Sequence, residues 1–141
     1  MDAKATWHTG LSFTGSAATS GFSLPLGADP QVGGANDGFR PLELVAVGLA
    51  GCTGMDVAAI LAKQRQPLES FEVRVHADLA AEHPHVFTKV LVEYVVKGKG
   101  VAREAVERAV ALSVTKYCPV QAMLRLAAPI ETKVTLVDAG G

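Results

Sequence analysis

Residues 41–65 read PLELVAVGLAGCTGMDVAAILAKQR, and the fold turns on how this stretch is read. Pro41 suits the first helical position, where its missing N–H would have no intrahelical partner. Glu43 falls in the first turn and Lys63 and Arg65 in the last, which matches the helix dipole. The pattern predicts one helix over about 41–65. Apolar residues occupy every face of it, and Gly51 and Gly54 flank Cys52 in what reads as a glycine-flanked bend. A helix that is apolar all round must be covered all round. One domain of 141 residues has little material for that, so the stretch predicts an oligomer built around this helix.

Upstream, GADPQVGGANDGF (residues 27–39) is rich in Gly, Asp, Asn and Pro and reads as a loop. It is long for a compact domain, and such loops are often functional or mobile. Before it, apolar and polar residues alternate. Ala3, Ala5 and Trp7 form one strand, a turn follows at Gly10, Leu11 and Phe13 form a second strand, and Phe22, Leu24 and Leu26 a third.

Downstream, Phe71, Val73, Val75, Ala77 and Leu79 alternate with polar residues in the cleanest strand of the chain. Residues 86–97, after an EHPH turn, predict another strand, 101–117 a helix, 119 to about 126 a short helix, and 130–137 a last strand. The order βββ–α–ββ–αα–β is not a regular alternation, so the class is α+β in one domain over 1–141.

Composition narrows the function. The apolar fraction is 49%, charged residues are 19% and the formal net charge is −1. No basic patch suits nucleic acid and no basic tract suits a membrane surface. The uncharged run Leu44–Met55 is shorter than the roughly 20 residues of a bilayer span. The start, MDAKATWH, lacks a signal-peptide apolar region. These features lead to the expectation of a cytoplasmic protein, where a cysteine pair is more often catalytic or redox-sensing than a permanent disulfide.

The two cysteines, Cys52 and Cys118, stand 66 residues apart and can meet only through the fold. Cys118 precedes Pro119. The residue before proline is pushed out of the helical region, and proline suits a helix start, so Cys118 reads as an N-cap. A sulfur at a helix N-terminus gains thiolate character, although a buried, inert cysteine fits the same position. The glycines around Cys52 fit close approach of a substrate, or simple helix packing. Asp56, four residues after Cys52, shares its helix face. A carboxylate beside a thiolate raises the thiol pKa, so Asp56 reads as a structural hydrogen-bonding group or as one bonded to a neighbouring chain. His8, His76, His83 and His85 lie on polar sides of strands or in a turn and point to no metal site. No nucleotide, phosphate or zinc motif occurs, so neither cofactor nor metal is expected.

The run GFRPLELVAVGLAGCTGMDV followed by KYCPV, in this order and near this separation, resembles the OsmC/Ohr superfamily, with the wording around Cys52 closest to its OsmC-like branch. The resemblance implies antiparallel sheets with two long helices in an intertwined homodimer. It also implies a thiol peroxidase that reduces organic hydroperoxides with a dithiol reductant, Cys52 being peroxidatic and Cys118 resolving. In the Ohr pattern a glutamate directly follows the helix-starting proline. Here Leu42 stands there and Glu43 comes one step later, about 100° round the helix. The Ohr pattern also places an arginine in the first hairpin, which this hairpin lacks. Arg40 is the nearest substitute, and the candidate catalytic set is Cys52, Cys118, Arg40 and Glu43. The competing readings are a small-molecule binding protein without efficient turnover and a redox sensor.

Overall fold

The computed structural model describes residues 1–138. The backbone divides into two compact units, Met1–Val45 and Ala46 onward, described in turn.

In the first unit, β1 (Ala3–Thr9), β2 (Ser12–Ala17) and β3 (Ser23–Leu26) form an antiparallel sheet in that order. Gly10 makes the first turn at φ 54°, and Trp7 Nε1 donates to its carbonyl at 2.9 Å. The expected 27–39 loop is internally bonded. Asp29 caps a three-residue 3₁₀ turn, Pro30–Val32. The Gly27 and Phe39 amides bond to Phe39 and Pro25 carbonyls, each at 3.0 Å. Gly34 is required there, because a Cβ would lie 2.1 Å from the Ala28 carbonyl oxygen. The expectation was a loop, functional or mobile, and a loop is found, with its turns hydrogen-bonded to one another. Gly, Asn and Asp are what such tight turns need, and composition alone does not separate a folded loop from a loose one.

The helix α1 runs over Pro41–Lys63 without the expected bend at Cys52. It starts in the first unit and continues into the second. It ends two residues earlier than expected, because Arg65 turns left-handed at φ 54°. The Gln66 amide then bonds to the Leu61 carbonyl and the Arg65 amide to that of Ala62, each at 3.0 Å, closing a Schellman motif. At 23 residues α1 is long and apolar enough to cross a bilayer by composition alone, which the shorter uncharged run did not suggest. Its mid-helix Asp56 is instead hydrogen-bonded to a serine of the same unit, and one stripe of it is core.

In the second unit β4 (Ser70–Leu79) pairs antiparallel with β5 (Phe87–Lys97), and β5 pairs in parallel with β6 (Ile130–Val137). The second sheet is therefore mixed, whereas antiparallel sheets were expected. The chain between β5 and β6 is helical and long enough for the crossover that parallel pairing needs. That crossover contains α2 (Arg103–Leu112), a five-residue π-helical turn Ser113–Tyr117, and α3 (Pro119–Leu124), which stops short of the expected Leu126. Leu49, Val57 and Leu61 of α1, Val90, Val92, Tyr94 and Val96 of β5, and Val106 and Ala109 of α2 form the core.

Within one chain α1 buries only Leu49, Thr53, Val57 and Leu61, an i, i+4 stripe, and leaves its other apolar faces uncovered. Val47 is 55% exposed and Met55 75%. Gly54 packs toward β4, where a Cβ would stand 3.2 Å from Val73 Cγ2, while nothing lies within 4 Å of a Cβ at Gly48 or Gly51.

Candidate functional site: a thiol pair over a hydroxyl chain

The π turn sets the position of Cys118. Its amide bonds back five residues to the Ser113 carbonyl at 2.9 Å. Cys118 then leaves the helical region at ψ 106°, and Pro119 starts α3. The sulfur accepts from the Gln121 backbone N–H at 3.3 Å, so the residue is the N-cap that KYCPV predicts. Cys52, half-buried on α1, is in hydrogen-bonding contact with Cys118. Both thiols are free.

Cys118 is 2% exposed. Burial first, and then the hydrogen bond with Cys52, push its thiol up to about 11, outweighing the Gln121 amide that pulls the other way. The expected gain in thiolate character at the helix N-terminus is thereby corrected for Cys118. One helix turn supplies too little positive potential to offset the loss of water. Cys118 keeps its proton at neutral pH and can donate it to the Cys52 sulfur.

Beneath the thiols runs a chain of buried hydroxyls. Tyr94 Oη and Thr53 Oγ1 are 2.7 Å apart, Thr53 Oγ1 and Ser113 Oγ 2.8 Å, and Ser113 Oγ donates to Asp56 Oδ2 at 2.9 Å. Asp56 as a carboxylate only accepts, and each hydroxyl has one proton to give. The direction is therefore fixed: Tyr94 donates to Thr53, Thr53 to Ser113 and Ser113 to Asp56. Thr53, Ser113 and Tyr94 are fully buried. Burial holds the Tyr94 phenol above its ordinary value, so it keeps the proton it donates. Asp56 bonds to Ser113, the structural hydrogen bonding its place on the Cys52 face predicted.

Sequence reading missed Thr53, Tyr94 and Ser113. Threonine beside a cysteine and tyrosine in an alternating strand carry no local signal. Ser113 had one: a polar residue on the buried side of the 101–117 helix, five residues before the pre-proline cysteine.

Arg40 and Glu43 lie in the first unit. Glu43 Oε2 accepts from the Arg40 backbone N–H at 2.9 Å, half of a capping box at the start of α1. The Arg40 guanidinium donates to Gly38 O at 3.1 Å and Asn36 Oδ1 at 2.7 Å, and pairs with Asp29 Oδ2 at 3.7 Å. The apolar residues of α1 on either side of Cys52 do not form one surface. Leu49 is in the core and Met55 is exposed, and six residues separate the two by about 120° on a helix.

A family model described as OsmC-like protein matches residues 34–133. The chain belongs to the OsmC-like family. Protein YhfA of Escherichia coli strain K12 is 34% identical over 142 residues, covering 99% of this chain and 100% of its own. A crystal structure of an OsmC-like protein from Mycoplasma pneumoniae is similar at a TM-score of 0.81 and 18% identity, with 96% of each chain covered. That of an organic hydroperoxide resistance protein OsmC from Legionella pneumophila is similar at 0.68 and 22%, with 95% of each chain covered. At these identities the likeness to solved structures is one of fold. The OsmC-like match includes both cysteines, Arg40 and Glu43.

Proposed function

We propose that this OsmC-like chain is a thiol peroxidase that reduces organic hydroperoxides. The contact between Cys52 and Cys118 carries the reading. Cys52, as thiolate, attacks the distal peroxide oxygen. The O–O bond breaks, the alkoxide leaves and takes a proton, and Cys52 becomes a sulfenic acid. Cys118 attacks the sulfenic sulfur, a disulfide forms, and the hydroxyl leaves as water with the Cys118 proton. An external dithiol then returns two electrons by exchange. A protonated Cys118 suits the second step, because it carries the proton that the leaving hydroxyl needs. Arg40 is the cation we assign to the Cys52 thiolate and the peroxide. To Glu43 we assign the setting of the Arg40 backbone, in keeping with its observed bond.

The same reading takes residues 1–141 as one domain, since the family match runs across the junction of the two units at Val45 and Ala46. It places the chain in the cytoplasm as a homodimer closed over the outward face of α1. There, Val47, Gly51, Met55 and Phe71 line an open apolar groove, and Gly48 and Gly51 leave room for close approach.

Hydroperoxide consumption with a dithiol supplied, in wild type and Cys52→Ser, tests the reading. Wild type consumes an alkyl hydroperoxide faster than hydrogen peroxide and Cys52→Ser consumes neither. The preference rests on burial of the alkyl chain, worth about 0.8 kcal/mol per methylene. Arg40→Ala lowers kcat/KM for all peroxides together. One observation favours a second reading, of small-molecule binding or redox sensing without efficient turnover. The Arg40 guanidinium is already taken up by Gly38, Asn36 and Asp29. An inactive wild type that still forms the disulfide selects it.

A further inference from the structure

We infer that Thr53, Ser113 and Asp56 form a positioning clamp that holds the Cys52 and Cys118 sulfurs in register for disulfide formation. The inference rests on the thiol-pair reading above and gives a role to Thr53 and Asp56, beside Cys52 in its motif, and to Ser113, outside both motifs.

Thr53 follows Cys52 on α1, so a bond to its hydroxyl fixes how the helix is rolled where the sulfur projects. Ser113 receives that bond at 2.8 Å. The same residue accepts the Cys118 amide through its carbonyl at 2.9 Å. One residue thus joins the two cysteine-bearing segments, through side chain on one side and backbone on the other. Asp56, one turn beyond Thr53, takes the remaining Ser113 proton at 2.9 Å and gives α1 a second point of attachment. Apolar packing tolerates small rotations of a helix, whereas a disulfide accepts only a narrow range of separations and angles. A directional clamp supplies the restraint that packing lacks. Local π turns recur at functional sites. Here the turn puts the Ser113 carbonyl beneath Cys118 while its hydroxyl reaches α1.

Full-length reduced protein is equilibrated with oxidised and reduced dithiothreitol. Two electrons and two protons pass from the Cys52 and Cys118 thiols to the reagent disulfide, leaving the protein disulfide and reduced dithiothreitol. Thr53→Val and Ser113→Ala each lower the equilibrium constant about tenfold, since a disulfide closed away from its preferred geometry is strained and more easily reduced. Thr53→Ser keeps the hydroxyl and stays within about twofold of wild type, as does Tyr94→Phe, which leaves the three clamp bonds intact.

Unchanged constants in Thr53→Val and Ser113→Ala overturn the clamp. So does an equal fall in Tyr94→Phe, which would mark general loosening of the core. Failure of both Thr53→Val and Ser113→Ala to fold also overturns it, because the hydroxyls would then hold the fold and not the sulfurs. The readout needs no peroxide. A wild type that consumes no hydroperoxide but shows the expected variant losses sinks the peroxidase reading and leaves the clamp standing. An active wild type with unmoved variants sinks the clamp alone, and a wild type that forms no Cys52–Cys118 disulfide sinks both.

Discussion

Cys118 is where opposing influences meet on one proton. The Gln121 amide favours a thiolate there, while burial and the bond with Cys52 favour the thiol, and the thiol prevails. The consequence for stability has a definite sign. A folded-state value raised from 9.0 to about 11 means that the folded chain holds this proton more tightly than the unfolded chain. The contribution is fully present below about pH 9 and is lost as pH rises through about 11. A shift of that size corresponds to about 2–3 kcal/mol. Tyr94, also raised by burial from its ordinary 10.0, acts in the same direction as pH rises beyond that value. Urea unfolding from pH 8 to 11 tests this. Stability of the wild type falls across that window, and Cys118→Ser, with no thiol to titrate, falls less steeply. A parallel decline in the two proteins counts against a buried, protonated Cys118. The N-cap role of Cys118 was legible in KYCPV because proline restricts its neighbour. The raised pKa was not, because it depends on residues that only the fold brings around the sulfur.

The two ends of α1 show local chemistry that can be weighed at the scale of the element. At its start Glu43 reaches back to the Arg40 amide, and among the described residues no other hydrogen bond to this carboxylate competes. Glu43→Ala removes it, and a loss of about 0.5–1 kcal/mol is expected in thermal unfolding. A Glu43→Ala protein as stable as wild type, with peroxide turnover lost, would move Glu43 from capping to catalysis. At the other end Arg65 is left-handed at φ 54°. A side chain there costs roughly 1–2 kcal/mol, partly offset by the greater unfolded-state freedom of glycine. Arg65→Gly is expected to raise stability by up to about 1 kcal/mol in the same assay. A measured loss would mean that the arginine side chain makes a contribution larger than the strain. Pro41, Glu43 and Lys63 made the helix and its limits legible, to within two residues at the C-terminal end. Which stripe of α1 faces inward was not, because an all-apolar helix has no polar face to orient it.

At the scale of the whole molecule, α1 presents apolar side chains in two directions with different consequences. Leu49 is fully buried within its own unit, whereas Val47 is 55% exposed. A charge at Leu49 has no partner in the core, so Leu49→Asp is expected to prevent folding. A charge at Val47 reaches water in a lone chain and is trapped only if a second chain covers it. Val47→Asp is therefore expected to convert the proposed dimer into a folded or partly folded monomer, read by sedimentation together with circular dichroism. Dimeric Val47→Asp places the interface elsewhere, and a monomeric wild type removes it.

By itself the sequence determined the element order, the class, the family, the positions of both cysteines and the structural role of Asp56. Each rests on short-range physics: period-two alternation, proline and glycine punctuation, and helix-end chemistry. Tertiary structure alone decided that β6 runs parallel to β5, that α1 buries a single stripe, and that Thr53, Tyr94, Ser113 and Asp56 connect beneath the thiols. Those outcomes depend on contacts between residues 40 to 60 positions apart, such as Val90 with Ile130, Thr53 with Tyr94 and Thr53 with Ser113. A hydroxyl has no periodic signature, and its partner is chosen by whichever element the packing of the core places opposite it.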